Sequence, residues 1–208
     1  MPLASLAPGL DGSVLTVLAG AETAMSATQI QRIGGRGSRY GLVLALERLV
    51  AQGIVTATPA GRGNLYQLNR QHVLAPVVTA ATQVRAEVDR RVGEALDAFV
   101  PKPLGAAVYG SVARGEATAS SDIDLLIIAA DSVDPDEENW VNQIDALERQ
   151  ARDWTGNPLH CVTVTASQLK SMIASSELIV NEWQRDARTT TGRDVRQMIL
   201  AARKRRQA

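Results

Sequence analysis

Apolar positions recur along this chain with two spacings, three-to-four and two, and the switches between them outline its elements. Asp11-Gly12-Ser13 supplies capping residue types before Val14–Ala19, which predicts a first helix. Ser26 or Thr28 caps a second, Gln29–Ile33, which Gly34 and Gly35 end. A third runs from Arg39 to Gln52, with Leu42, Leu46 and Leu49 plus Val43 and Val50 at helical spacing and Gly53 after its end. Ile54–Thr58 and Leu65–Leu68 read as strands around a turn, Pro59–Asn64. After a connector, Asn69–Ala75, Pro76 opens a helix reaching Phe99, with one apolar stripe through Val78, Ala81, Val84, Val88, Val92 and Leu96. Pro101 and Pro103 stop it. Strands Gly105–Tyr109 and Asp122–Ala130 follow, the second apolar on both faces beyond its aspartates and therefore central. Then come a helix Glu137–Trp154, a strand Leu159–Thr165, a helix from Ala166 broken before Ser176 and continuing to Trp183, a short strand Ala187–Thr191 and a basic helix Asp194–Arg206.

Three helices followed by a β-hairpin is the layout of a winged helix-turn-helix, and residues 8–70 resemble that family. The run Leu46-Glu-Arg-Leu-Val-Ala-Gln-Gly-Ile-Val55 is similar to a recognition helix entering its wing. The resemblance implies duplex DNA as a partner. The Arg39–Gln52 helix would enter the major groove and Arg62 at the wing tip would touch phosphate or the minor groove. Gln29, Arg36, Ser38, Arg39, Tyr40 and Arg62 are the candidate contacts. The glycines of Gly34-Gly-Arg-Gly-Ser-Arg-Tyr-Gly41 do not make a dinucleotide loop. Tyr40 falls where the third glycine belongs, and no strand precedes them.

Charge refines this. The chain is neutral overall, yet residues 1–75 hold six arginines against Asp11, Glu22 and Glu47, net +3, and residues 76–208 are net −3. A basic first third suits an anionic partner for that part. The lone Cys161 excludes an internal disulfide and fits a reducing compartment. No apolar run nears the roughly 20 residues that span a bilayer, and no signal peptide is legible, so a cytoplasmic protein without a membrane partner is expected. Zinc spacing, a serine-hydrolase elbow and a Walker lysine are missing.

The chemistry concentrates in Val108-Tyr-Gly-Ser-Val-Ala-Arg-Gly-Glu-Ala-Thr-Ala-Ser-Ser-Asp-Ile-Asp-Leu125. A strand ends at Gly110-Ser111, a short polar loop carries Arg114, and the next strand opens with Asp122 and Asp124. Alternation puts both carboxylates on one face. Paired carboxylates on a rigid strand can hold Mg²⁺, and glycine and serine at a turn can hold phosphate oxygens. The run resembles the signature of polymerase-β-type nucleotidyltransferases, above all their minimal bacterial branch. That resemblance spans residues 77–200. It implies that Gly110, Ser111, Arg114 and Ser121 bind the nucleotide, and that Asp122 and Asp124 are catalytic and bind Mg²⁺ (or Mn²⁺). It also implies an NTP as substrate or ligand and, as in some relatives, a toxin–antitoxin partner protein as acceptor. The family's third carboxylate sits on a neighbouring strand. The matching strand here, Leu159–Val164, has no acid, and His160 occupies that position by register. Asp153 lies before it. A neutral imidazole serves Mg²⁺ poorly, so His160 is read first as an edge histidine without a catalytic part.

The expected fold is therefore α+β. A winged helix-turn-helix fills residues 1–75, and a nucleotidyltransferase-like domain with a small mixed sheet flanked by helices fills 76–208, joined by the helix 76–99. The expected function is Mg²⁺-dependent nucleotidyl transfer from an NTP to a protein, RNA or small-molecule hydroxyl, coupled to DNA binding. The alternative is a DNA-binding transcriptional regulator whose second domain, catalytically weak, senses nucleotide or forms a homodimer.

Overall fold

The computed structural model describes residues 9–34, 37–114 and 121–207, and the chain divides into two compact units, Met1–Arg85 and Ala86–Ala208. The fold is α+β.

The first unit holds α1 (Leu10–Ala19), β1 (Met25–Ser26), α2 (Ala27–Gly34), α3 (Arg39–Ala51), β2 (Val55–Ala60), β3 (Gly63–Leu68) and α4 (Ala75–Thr82). Its antiparallel sheet has the order β1-β3-β2. Leu18, Ile30, Leu42, Leu46, Leu49, Val55 and Leu68 share one core, so the α3 stripe faces where its spacing predicts. Burying such side chains contributes roughly 1.5–3 kcal/mol each. Four local features differ from the expectation. β1 is a strand that the spacing does not predict, held by pairing of Met25 and Ser26 with Tyr66 and Leu65 of β3. Asp11-Gly12-Ser13 does not cap α1 but forms its first turn, where the Asp11 carboxylate favours the positive helix end and accepts from Arg48 at 2.8 Å. α2 is capped by Ser26, not Thr28: Ser26 Oγ accepts from Gln29 N, and Gln29 Oε1 accepts from Ser26 N at 2.8 Å. The hairpin turn is shorter than Pro59–Asn64. Pro59 and Ala60 pair with Asn64 and Gly63, leaving Gly61-Arg62 as a two-residue turn with Gly61 at φ +61°. Pro59 is tolerated because β2 is an edge strand.

The single helix expected over 76–99 is two, α4 and α5 (Val84–Asp97). The apolar spacing is continuous, but its halves serve different cores. Ala75, Val78 and Ala81 pack in the first unit and Val92 and Leu96 in the second, while Val84 at the break is 47% exposed. The Thr79 and Thr82 hydroxyls donate to the carbonyls of Ala75 and Thr79 just before the break, a habit that bends helices.

The second unit continues with β4 (Gly105–Tyr109), α6 (Gly110–Arg114), β5 (Ile123–Ala129), α7 (Glu138–Thr155), β6 (Leu159–Thr165), α8 (Ala166–Ala174), α9 (Leu178–Asp186), β7 (Arg188–Gly192) and α10 (Val195–Gln207). Its mixed sheet has the order β6-β5-β4-β7, with β5 and β6 parallel and the other pairs antiparallel. β5 is central, as its apolar run predicts. Leu125, Ile127 and Ala129 pack in the core that contains α5 and α7 residues, and Leu126 and Ile128 in the core of α8, α9 and α10. Among the described residues no helix is long and apolar enough to cross a membrane.

Candidate functional site

Three strands converge on Asp124. It pairs with Tyr109 at the end of β4 and, on the other side, with His160 near the start of β6. Asp122 immediately precedes β5, two residues from Asp124 and so on the same side of the strand. The strand start is pinned by Ile123 N donating to Pro158 O at 2.9 Å and by Asn157 Nδ2 donating to Ser121 O at 3.0 Å.

The polar loop expected after β4 begins instead with a helical turn, α6. Gly110 makes it possible with a φ of +69°. A Cβ there would stand 2.5 Å from Asp124 Oδ2, so the carboxylate lies directly against the bare α-carbon. Glycine is thus required twice, for its backbone and for the space above it. Val112 and Ala113 pack partly into the core, which leaves Ser111 and Arg114 for polar contacts. The continuation of that loop, 115–120, lies outside the described residues.

Burial raises the Asp124 carboxyl above the ordinary carboxylate value. His160 and Arg114 oppose the shift, and the charges of Asp122 and Glu182 add to it. Burial also raises the Tyr109 hydroxyl, with Asp124 next in effect. His160 Nε2 lies 3.5 Å from Asp122 Oδ2. That is a contact across the strand pair, long for a hydrogen bond. The register that sets His160 beside the aspartates is therefore present. Cys161 turns the other way, partly into the core, and burial pushes its thiol up, which leaves it inert.

Among the described residues no three His, Cys, Asp or Glu side chains gather tightly enough to cage a metal alone. Two same-side carboxylates suit Mg²⁺ nonetheless, because that ion keeps several waters and takes phosphate oxygens alongside one or two carboxylates.

Two acidic residues near the site belong to no motif, and sequence reasoning missed them. Glu182 of α9 adds its field at Asp124 and Tyr109. Asp186, at the end of α9, accepts from Arg114 Nη1 at 2.6 Å. The spacing Val180–Trp183–Asp186 does place an acid on a buried stripe, and that is the signal the sequence offers.

In the first unit, Ser38 caps α3 by accepting from Gly41 N at 3.1 Å. Arg39 and Tyr40 occupy the exposed first turn of α3, Tyr40 with 74% of its surface accessible. Arg62 is exposed at the hairpin tip, and Gln29 lies exposed in the first turn of α2 while serving the Ser26 cap. Arg36 lies outside the described residues.

These positions can be set beside known proteins. Residues 90–179 match the nucleotidyltransferase domain. The matched segment contains Gly110, Ser111, Asp122, Asp124 and His160 and lies within the second unit. Comparison with curated proteins finds no match. Two solved structures resemble the chain. One is a toxin–antitoxin with AMP-PNP, 18% identical, TM-score 0.41, spanning 58% of this chain and 86% of that one. The other is a mutant of the toxin–antitoxin MntA-HpeT, 16% identical, TM-score 0.40, spanning 57% and 86%.

Proposed function

We propose that the second unit transfers a nucleotidyl group from an NTP to a hydroxyl of a protein, RNA or small molecule, and that the first unit is a winged helix-turn-helix that binds duplex DNA. The observation that carries the enzymatic reading is the seat of Asp124 against Gly110, within a segment that matches the nucleotidyltransferase domain. It joins a carboxylate pair to a turn whose backbone N–H groups suit phosphate oxygens. Gly110, Ser111, Arg114 and Ser121 hold the triphosphate, and Asp122 and Asp124 hold Mg²⁺ (or Mn²⁺). The bound ion would offset triphosphate charge and help align the attack. The protein's own part is positioning. β5 carries Asp124 and sets Asp122 at its entry on the same side, and α6 brings Arg114 within electrostatic reach of Asp124.

The Asp122→Asn, Asp124→Asn double variant tests this. It should lose Mg·ATP binding by calorimetry and transfer from α-labelled NTP while keeping its fold. Undiminished Mg·ATP affinity would remove the site assignment.

The contact of His160 with Asp122 favours a second reading, a DNA-binding regulator whose second unit binds nucleotide without transferring it. An imidazole there provides neither the oxygen ligand nor the carboxylate base that the resemblance implies on β6. Mg·ATP binding without α-label transfer would select this reading.

A further inference from the structure

Asp186 is the only charged side chain in the core among the described residues, its side chain 3% exposed. It ends α9 between two guanidinium groups. Arg185, its chain neighbour, donates from Nε and Nη2 to the two carboxylate oxygens at 2.7 and 2.9 Å. Arg114 donates from Nη1 to Oδ2 at 2.6 Å across 72 residues of sequence. Arg185 first and Arg114 after it hold the carboxyl well below the usual range, so it is ionised throughout the physiological range.

Stability alone is a weak reason for this arrangement, because an apolar residue of similar size would fill the same volume without burying charge. What the carboxylate adds is direction. Arg114 is the last residue of α6, whose first residue carries Asp124 against its α-carbon. Both sides of the contact are anchored. Val180 and Trp183 fix α9 in the core, Trp183 with its ring 6.1 Å from Tyr109 in a T-shaped contact. At the end of α6, Arg188 Nη1 reaches Ala113 O at 3.4 Å, and Arg188 is itself held by Asp89 at 2.6 and 2.8 Å. One end of α6 is thus tied to β7 and its guanidinium to α9, while 34% of the Arg114 side chain stays exposed.

We propose that Asp186 is a positioning residue of the nucleotide site, aiming the Arg114 guanidinium at the polyphosphate of a nucleoside triphosphate and so setting a preference for triphosphate over monophosphate. The inference rests on the nucleotide-binding reading of the second unit. A guanidinium has five donors in a fixed fork. Fixing one of them on a buried carboxylate fixes the plane of the rest.

The experiment is calorimetry on the full chain with Mg²⁺ and, separately, ATP and AMP. Asp186→Asn keeps the side-chain shape and removes the charge. It should weaken ATP roughly tenfold and AMP by less than about twofold, the loss of a charge-assisted aim felt by the outer phosphates alone. Arg114→Ala should show the same selectivity. The double variant should bind ATP no more weakly than Arg114→Ala, because Asp186 acts through Arg114. Equal losses for ATP and AMP, additive losses in the double variant, or an Asp186→Asn chain that no longer folds would make the carboxylate structural and overturn the proposal. A wild-type chain without Mg·ATP affinity would overturn the site reading together with it. A wild-type chain that binds ATP, beside an Asp186→Asn chain that binds it equally well, overturns this proposal alone.

Discussion

Gly110 and Asp124 are the two residues whose chemistry is most tightly linked. Replacing Gly110 by Ala sets a methyl group 2.5 Å from Asp124 Oδ2 and forces a side chain onto a φ of +69°. The expected cost is about 1–3 kcal/mol of stability for the backbone alone. Displacement of the carboxylate should also remove Mg·ATP binding. Urea midpoints and calorimetry on Gly110→Ala check both, and an unchanged nucleotide affinity would mean that Asp124 does not serve the ligand. Asp124 itself predicts a pH dependence. A carboxyl whose folded pKa is raised binds its proton more tightly in the folded chain than in the unfolded one. Ionised Asp124 therefore penalises the metal-free fold above that raised pKa. The penalty disappears as pH falls through the raised value toward the ordinary one, 3.8. Metal-free Asp124→Asn should accordingly melt higher than wild type near neutral pH, with the gap closing on acidification. A gap that ignores pH would contradict the buried, like-charged setting described for this side chain.

At the scale of elements, β6 decides how the aspartates are completed. Its parallel register with β5 sets His160 opposite Asp124 and its Nε2 3.5 Å from Asp122. His160→Asp would place a third carboxylate there. Metal-free stability should fall through like-charge repulsion, and Mg·ATP should restore it by neutralising the cluster. Transfer from α-labelled NTP should rise above wild type. Brisk transfer by the wild-type chain would instead point to an acid from another element. α3 and the β2–β3 hairpin carry the corresponding prediction for DNA. Arg39 and Arg62 are exposed at a helix start and a hairpin tip. Arg39→Ala with Arg62→Ala should weaken duplex binding and reduce the salt slope by roughly 0.9 for each phosphate no longer neutralised. Duplex binding that is unchanged by both, or undetectable at low salt, would leave the first unit as a protein-contact module.

For the whole molecule, the two units have separate cores, so their stabilities should separate. Leu46 of α3 and Leu126 of β5 are both fully buried. Leu46→Ala should cost about 2–5 kcal/mol in the first unit, and Leu126→Ala a similar amount in the second. Only the latter should reduce Mg·ATP affinity, which thermal scans paired with calorimetry would show. Loss of nucleotide binding in Leu46→Ala would mean that the two units fold as one. Separate cores also bear on which features are legible in the sequence. The elements are legible because apolar period and glycine placement are local. The α3 stripe, the two-sided run of β5 and the Asp122–Asp124 pair each need only a few neighbouring residues. The break at Gln83 is not legible, because one unbroken apolar stripe serves two cores, and the threonines before it, Thr79 and Thr82, are equally compatible with a continuous helix. Nor is α6, since a positive φ at Gly110 reads equally as a loop. Local spacing was enough for most of the helices and strands, the central place of β5 and the paired carboxylates, though not for β1, α6 or the α4–α5 break. Only the tertiary structure decided that Asp124 lies on Gly110, that His160 faces Asp122 and that Asp186 holds Arg114. Each of these joins residues far apart in the chain, and sheet register and helix packing, not local spacing, set which ones meet.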